Sequence, residues 1–93
     1  MRVALYQCPP QPLDPAGNLQ RLHQVALEAR GADVLVLPEM FLTGYNIGAE
    51  AVGALAEAQD GESAQAIAEI AQNAGLAILY GYPERAGDGQ IYN

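Results

Sequence analysis

Apolar residues along this chain fall into three short continuous runs, separated by stretches in which they recur at helical spacing. Arg2 to Gln7 predicts a first strand, because Val3, Ala4, Leu5 and Tyr6 leave no wet face. Pro9, Pro10, Pro12 and Pro15 hold the next segment out of regular structure. From about Asn18 to Arg30, Leu19, Leu22, Ala26 and Ala29 define one face of a helix, and Gly31 supplies its stop. Ala32 to Leu37 predicts a second strand, continuously apolar after Asp33, as in parallel sheets buried on both faces.

After Tyr45 the composition shifts to Ala, Glu and Gly. A short helix is predicted over Ala51 to Ala58, then a turn at Asp60-Gly61 and a helix from Ser63 to Asn73. That helix offers Ala64, Ile67, Ala68 and Ala71 as its apolar face, and Gly75 ends it. Leu76 to Tyr80 predicts a third buried strand. Gly87-Asp88-Gly89 is a hairpin turn signal that leads into Ile91-Tyr92-Asn93. Strand, helix, strand, helix, strand is an open α/β arrangement. A hairpin with only the opening of its second strand leaves backbone groups without partners. Residues 1–93 are therefore expected to be the N-terminal segment of one domain that continues beyond residue 93.

Composition narrows the function classes. Eleven Asp and Glu stand against four Arg and no Lys, a formal net charge of −7. Binding to a nucleic-acid backbone needs clustered cations and is not expected. No apolar run approaches the length needed to span a membrane, and the start lacks the pattern of a secretory signal. A cytoplasmic protein is the expectation. One cysteine rules out an intrachain disulfide, and no residue set has metal-ligand spacing. The first strand leads into Cys8-Pro9-Pro10 rather than a glycine-rich turn, which argues against a dinucleotide site. No cofactor is expected.

The candidate chemistry is concentrated at Val34-Leu35-Val36-Leu37-Pro38-Glu39. Pro38 ends the strand, so Glu39 falls at its C-terminal edge, where open α/β sheets place their sites. A partly shielded carboxylate there suits general acid–base work. On these residues alone, a solvent-facing loop glutamate or a helix cap stays open as the alternative. Cys8 has no Lys to activate it and no row of following amide donors, and is expected to be a small packing residue. His23 is expected at the boundary of the first helix, without a catalytic partner.

These residues, taken in order, resemble the N-terminal part of the nitrilase, or carbon–nitrogen hydrolase, superfamily. The resemblance runs through Val3-Ala4-Leu5-Tyr6-Gln7, Asn18-Leu19, Gly31-Ala32-Asp33 and Leu37-Pro38-Glu39. It continues in Phe41-Leu42-Thr43-Gly44-Tyr45, Tyr80-Gly81 and Tyr92-Asn93. It implies an α-β-β-α sandwich, association into homo-oligomers through the outer helices, and a Glu-Lys-Cys catalytic set. Glu39 matches the superfamily's first glutamate, acting as general base and acid. The lysine and the nucleophilic cysteine have no counterpart in this chain and are expected beyond Asn93.

Met40 to Gly48 and Tyr80 to Arg85 are most similar to the superfamily's 5-aminopentanamide-hydrolysing members. This implies a small-molecule amide substrate, 5-aminopentanamide, in lysine degradation, with Tyr45 a candidate wall of the substrate pocket. Neither Glu50 nor Glu84 is assigned to the substrate's ammonium. Another short-chain amidase, an omega-amidase or an N-carbamoyl-amine hydrolase is the alternative within the enzyme class. A noncatalytic α/β module that binds a partner through its open sheet edge is the alternative outside it.

Overall fold

The computed structural model describes all residues, 1–93. Three parallel strands, β1 (Val3–Leu5), β2 (Val34–Val36) and β3 (Ala77–Leu79), lie side by side in the order β1-β2-β3. Helix α1 (Pro15–Glu28) makes the first crossover; α2 (Ala49–Leu55) and α3 (Glu62–Ala74) lie in the second. The hairpin β4 (Glu84–Arg85) and β5 (Ile91–Tyr92) follows, antiparallel, with Glu84 opposite Tyr92. The predicted turn over Gly87-Asp88-Gly89 is present, with the Gly89 amide donating to the Ala86 carbonyl at 3.0 Å.

The register fixes which side chains share a face. Ala4, Leu35 and Ile78 are aligned, and Leu35 is buried in a core formed with Leu22, Ala26, Ile67, Ile70 and Leu76. Neighbouring strand positions point the other way, and there Val3, Leu5 and Leu79 are exposed. Burial of the strands on both faces is therefore not what this chain achieves by itself. Helices α1 and α3 pack against each other and cover a single face. What results is one sheet-and-helix half of an α-β-β-α sandwich.

Two local corrections have plain causes. Pro15 does not delay the first helix but opens it, since proline at the first helical position forfeits only an amide that has no intrahelical partner. The Asp14 side chain caps that end by accepting from the Gly17 amide at 3.1 Å. In α3 the buried row is Ser63, Ile67, Ile70 and Ala74, whereas Ala68 is exposed. Turning Ile70 inward removes more apolar area from water than turning Ala68 inward. As expected, Gly75 closes α3 in the left-handed conformation, φ +70°, its amide donating to the Ala71 carbonyl at 2.9 Å.

The start of α3 has no cap from its own N-cap residue, Gly61. Glu57 supplies one, accepting from the Ser63 amide at 2.9 Å and from the Ser63 hydroxyl at 2.5 Å. The Glu57 backbone also joins the hairpin, with the Arg85 amide donating to its carbonyl at 2.8 Å. Helix α3 and the β4–β5 hairpin are thus tied through one residue. No helix is long and apolar enough to cross a membrane.

Candidate active site

Glu39 sits just past the C-terminal end of β2, the middle strand of the sheet. The strand pairing runs one residue beyond β2, because the Leu37 amide donates to the Leu79 carbonyl at 3.0 Å. Pro38 has no amide with which to extend it. The chain then enters a turn over residues 39–43 in which Met40, Phe41, Leu42 and Thr43 are buried and Glu39 is exposed. Buried apolar neighbours hold the turn while the carboxylate is left outside it. The shielding expected of Glu39 is not provided by residues 1–93.

Met40 carries a backbone strain signal. Its φ of 53° lies in the left-handed region, an uncommon conformation for a residue with a side chain. The turn holds it there: the Gly44 amide donates to the Met40 carbonyl at 2.9 Å, and the Met40 side chain is buried. Phe41, fully buried, meets the Tyr6 ring edge-on at a centroid distance of 5.8 Å. The turn beside Glu39 is thereby packed against the end of β1.

Asn18 is the residue whose role the apolar pattern does not reveal. It is fully buried, and its side-chain amide donates to the Leu42 carbonyl at 3.0 Å and to the Gln11 carbonyl at 2.9 Å. Its side-chain oxygen accepts from the Gln11 amide at 2.9 Å. One side chain therefore fastens α1, the proline-rich loop and the Glu39 turn together. A signal was present: Asn18 lies in line with Leu22 and Ala26, at four-residue spacing, so a polar group interrupts the apolar stripe.

Two further residues reach Glu39 from the distal part of the chain. The Asn93 side-chain amide donates to Glu39 Oε1 at 2.7 Å. Gly81 passes so close that a Cβ built on it would lie 3.0 Å from the Met40 nitrogen and 3.7 Å from Glu39 Cα. The structure thus gathers the ends of β2, β3 and β5 around one carboxylate.

Tyr45, at the far end of the turn, is 69% exposed and makes no hydrogen bond within the chain's side-chain network. Cys8 is exposed rather than packed, because the sheet face beside it is uncovered. It lines an open apolar hollow of about 420 Å³ with Leu5, Tyr6, Val36, Leu37 and Pro38, and Glu39 is not part of that lining. His23 is exposed on α1. No three His, Cys, Asp or Glu side chains converge as a metal site would require.

Tyr80 and Tyr82, which flank Gly81, lie against each other with ring centroids 5.4 Å apart and planes tilted by 32°. Burial, and then the Glu57 carboxylate, raise the Tyr80 hydroxyl above the ordinary tyrosine value. Burial, followed by the charge of Glu84, does the same to Tyr82. Both phenols remain protonated at neutral pH, and the Tyr82 hydroxyl donates to Glu84 Oε2 at 3.4 Å.

Comparison with known proteins places this geometry. The family model described as carbon-nitrogen hydrolase matches residues 2–93. A hydrolase from Pseudomonas protegens, encoded in the pqqF 5′ region, is 84% identical over 93 residues, all of this chain and 33% of that protein. A CN-hydrolase superfamily protein from Xanthomonas campestris, with an arsenic adduct in its active site, superposes with a TM-score of 0.87 at 30% identity. The match covers 100% of this chain and 34% of that one. An amidase from Nesterenkonia sp. gives a TM-score of 0.72 at 32% identity over 98% of this chain and 35% of its own. The chain spans about a third of the length of the curated relatives it matches. With the family model matched over residues 2–93 and the fold shared with solved members, this chain belongs to the carbon-nitrogen hydrolase family.

Proposed function

We propose that residues 1–93 form the N-terminal part of an amide hydrolase and supply its acid–base carboxylate, Glu39. The observation that carries this reading is the placement of Glu39. It follows the middle strand of the sheet, at the start of a strained, internally packed turn, in a chain of the carbon-nitrogen hydrolase family. The similarity to the Nesterenkonia amidase supports amide chemistry in particular.

In this proposal the family's lysine and nucleophilic cysteine are contributed by sequence after Asn93. Glu39 takes the proton of the cysteine thiol as the sulfur attacks the amide carbon. The lysine, with backbone donors, stabilises the oxyanion that develops. Collapse of the tetrahedral species breaks the C–N bond, and Glu39 returns the proton to the departing ammonia. Glu39 then takes a proton from water as water attacks the thioester. The C–S bond breaks to release the acid product, and Glu39 returns the proton to the cysteine sulfur, restoring the starting thiol. One carboxylate mediates proton transfers in both half-reactions, which requires it to be accessible and held in a fixed direction.

We propose 5-aminopentanamide as the substrate, on the likeness of Met40 to Gly48 and Tyr80 to Arg85 to enzymes of that specificity, with Tyr45 against the alkyl chain. The full-length protein is proposed to act as a homo-oligomer. Ammonia release from 5-aminopentanamide, compared with uncharged valeramide, tests the substrate assignment. Preference for the aminoamide is expected. Equal or better turnover of valeramide would overturn it, and release of carbon dioxide alongside ammonia from N-carbamoyl amines alone would move the enzyme to the carbamoyl class.

A further inference from the structure

Glu39 has one hydrogen-bond partner among residues 1–93, the side chain of Asn93, 54 positions away. A carboxylate only accepts, so the contact uses the Asn93 amide nitrogen, which donates to Oε1 at 2.7 Å. Both residues are exposed. Between two free surface side chains such a bond would be offset by the entropy of ordering them. Here the backbone brings the partners together along two separate routes.

The first route is the hairpin. Pairing of Glu84 with Tyr92 fixes the approach to Asn93, and the Tyr92 hydroxyl donates to Asp88 Oδ2 at 3.2 Å. The second is Gly81, which fills the gap between the two residues. A Cβ there would lie 3.7 Å from Glu39 Cα and 3.8 Å from the Asn93 side-chain oxygen. Leu79, two residues earlier, receives the Leu37 amide and locks this strand to the one bearing Glu39.

We propose that Asn93 is a positioning residue for Glu39: its amide holds Oε1 and leaves Oε2 as the oxygen that exchanges protons. A neutral donor suits that task, since it orients the carboxylate without adding a charge to a group that must both take and give a proton. Two oxygens become inequivalent, and one stays directed at the reacting atoms through both half-reactions. The proposal rests on Glu39 being the acid–base group.

The experiment uses the full-length protein with the substitutions Glu39→Gln, Asn93→Ala and Asn93→Asp. Misdirection of a reacting group lowers kcat, so Asn93→Ala is expected to lose about 10- to 100-fold in kcat with KM within about threefold of the parent. Asn93→Asp keeps the shape but sets a second carboxylate against Glu39, so the acidic limb of its kcat/KM profile is expected to move to higher pH. A role confined to folding would not move that limb, and Asn93→Asp decides the matter if Asn93→Ala does not fold. Parent-like kcat and pH profile in both Asn93 variants, or a loss confined to KM, would overturn the proposal while an inactive Glu39→Gln leaves the amidase reading standing. An active Glu39→Gln would overturn both.

Discussion

The side-chain amide of Asn18 donates to the carbonyl of Leu42 at 3.0 Å, tying the first turn of α1 to the turn that begins at Glu39. The same side chain exchanges two hydrogen bonds with the Gln11 backbone. Asn18 and the Leu42 carbonyl are both buried, so that carbonyl would lose its hydrogen bond without gaining water. Replacement by leucine is expected to cost about 2–4 kcal/mol in the full-length protein, read as a lower urea midpoint at unchanged slope. Asn18→Asp is expected to fare no better, because its second oxygen would face the Leu42 and Gln11 carbonyls.

Phe41 anchors the same turn from the apolar side. It is fully buried and meets Tyr6 edge-on at 5.8 Å. Phe41→Ala should cost about 3–5 kcal/mol from lost burial and the cavity left behind. Thermal unfolding of the full-length variant checks this, and a change below about 1 kcal/mol would show that the turn repacks freely.

Gly81 permits the close approach of the β3 end to the Glu39 turn. A Cβ at this position meets the Met40 nitrogen at 3.0 Å, and that backbone is already held at a φ of 53°. Gly81→Val is therefore expected to displace the turn and lower turnover by about tenfold or more. Ammonia release by the folded variant is the measurement, with Gly81→Ala intermediate.

Alkaline stability is set in part by Tyr80 and Tyr82. Burial, and then the charges of Glu57 at Tyr80 and of Glu84 at Tyr82, raise both hydroxyls above their unfolded value. A group whose folded value is raised contributes its full stability below the unfolded value, about 10, and loses it as pH climbs. Melting temperature should thus be flat for these groups up to about pH 9 and fall above about pH 10. Tyr82→Phe should make the fall shallower, which a melting series across that range would show.

Much of this architecture was legible from apolar runs and punctuation. Leu35 at the centre of β2, the row Leu22 and Ala26 on α1, the stop at Gly75 and the Gly87-Asp88-Gly89 hairpin all follow from periodicity and turn chemistry. The place of Glu39 just past the end of β2 was legible because Pro38 must end a strand, whereas its role came only from the family resemblance. What failed did so where a local rule met a tertiary choice. Pro15 reads as a breaker unless it is known to fall at the first helical position, and alanine-rich α3 offers several faces until Ile70 selects one. Val3, Leu5 and Leu79 look like buried positions, yet no element of residues 1–93 covers them. The contacts of Asn18, Gly81 and Asn93 join segments far apart in the chain, and no short-range pattern encodes them.

The central claim is that Glu39 is the acid–base group of an amide hydrolase, and Glu39→Gln in the full-length protein tests it most directly. The substitution preserves size and leaves Asn93 a side-chain oxygen to donate to, while removing the group that carries the proton. Ammonia release is predicted to fall by about 10²–10⁴-fold or more, with circular dichroism and melting temperature unchanged. A folded Glu39→Gln protein that releases ammonia at a near-parental rate would contradict the account.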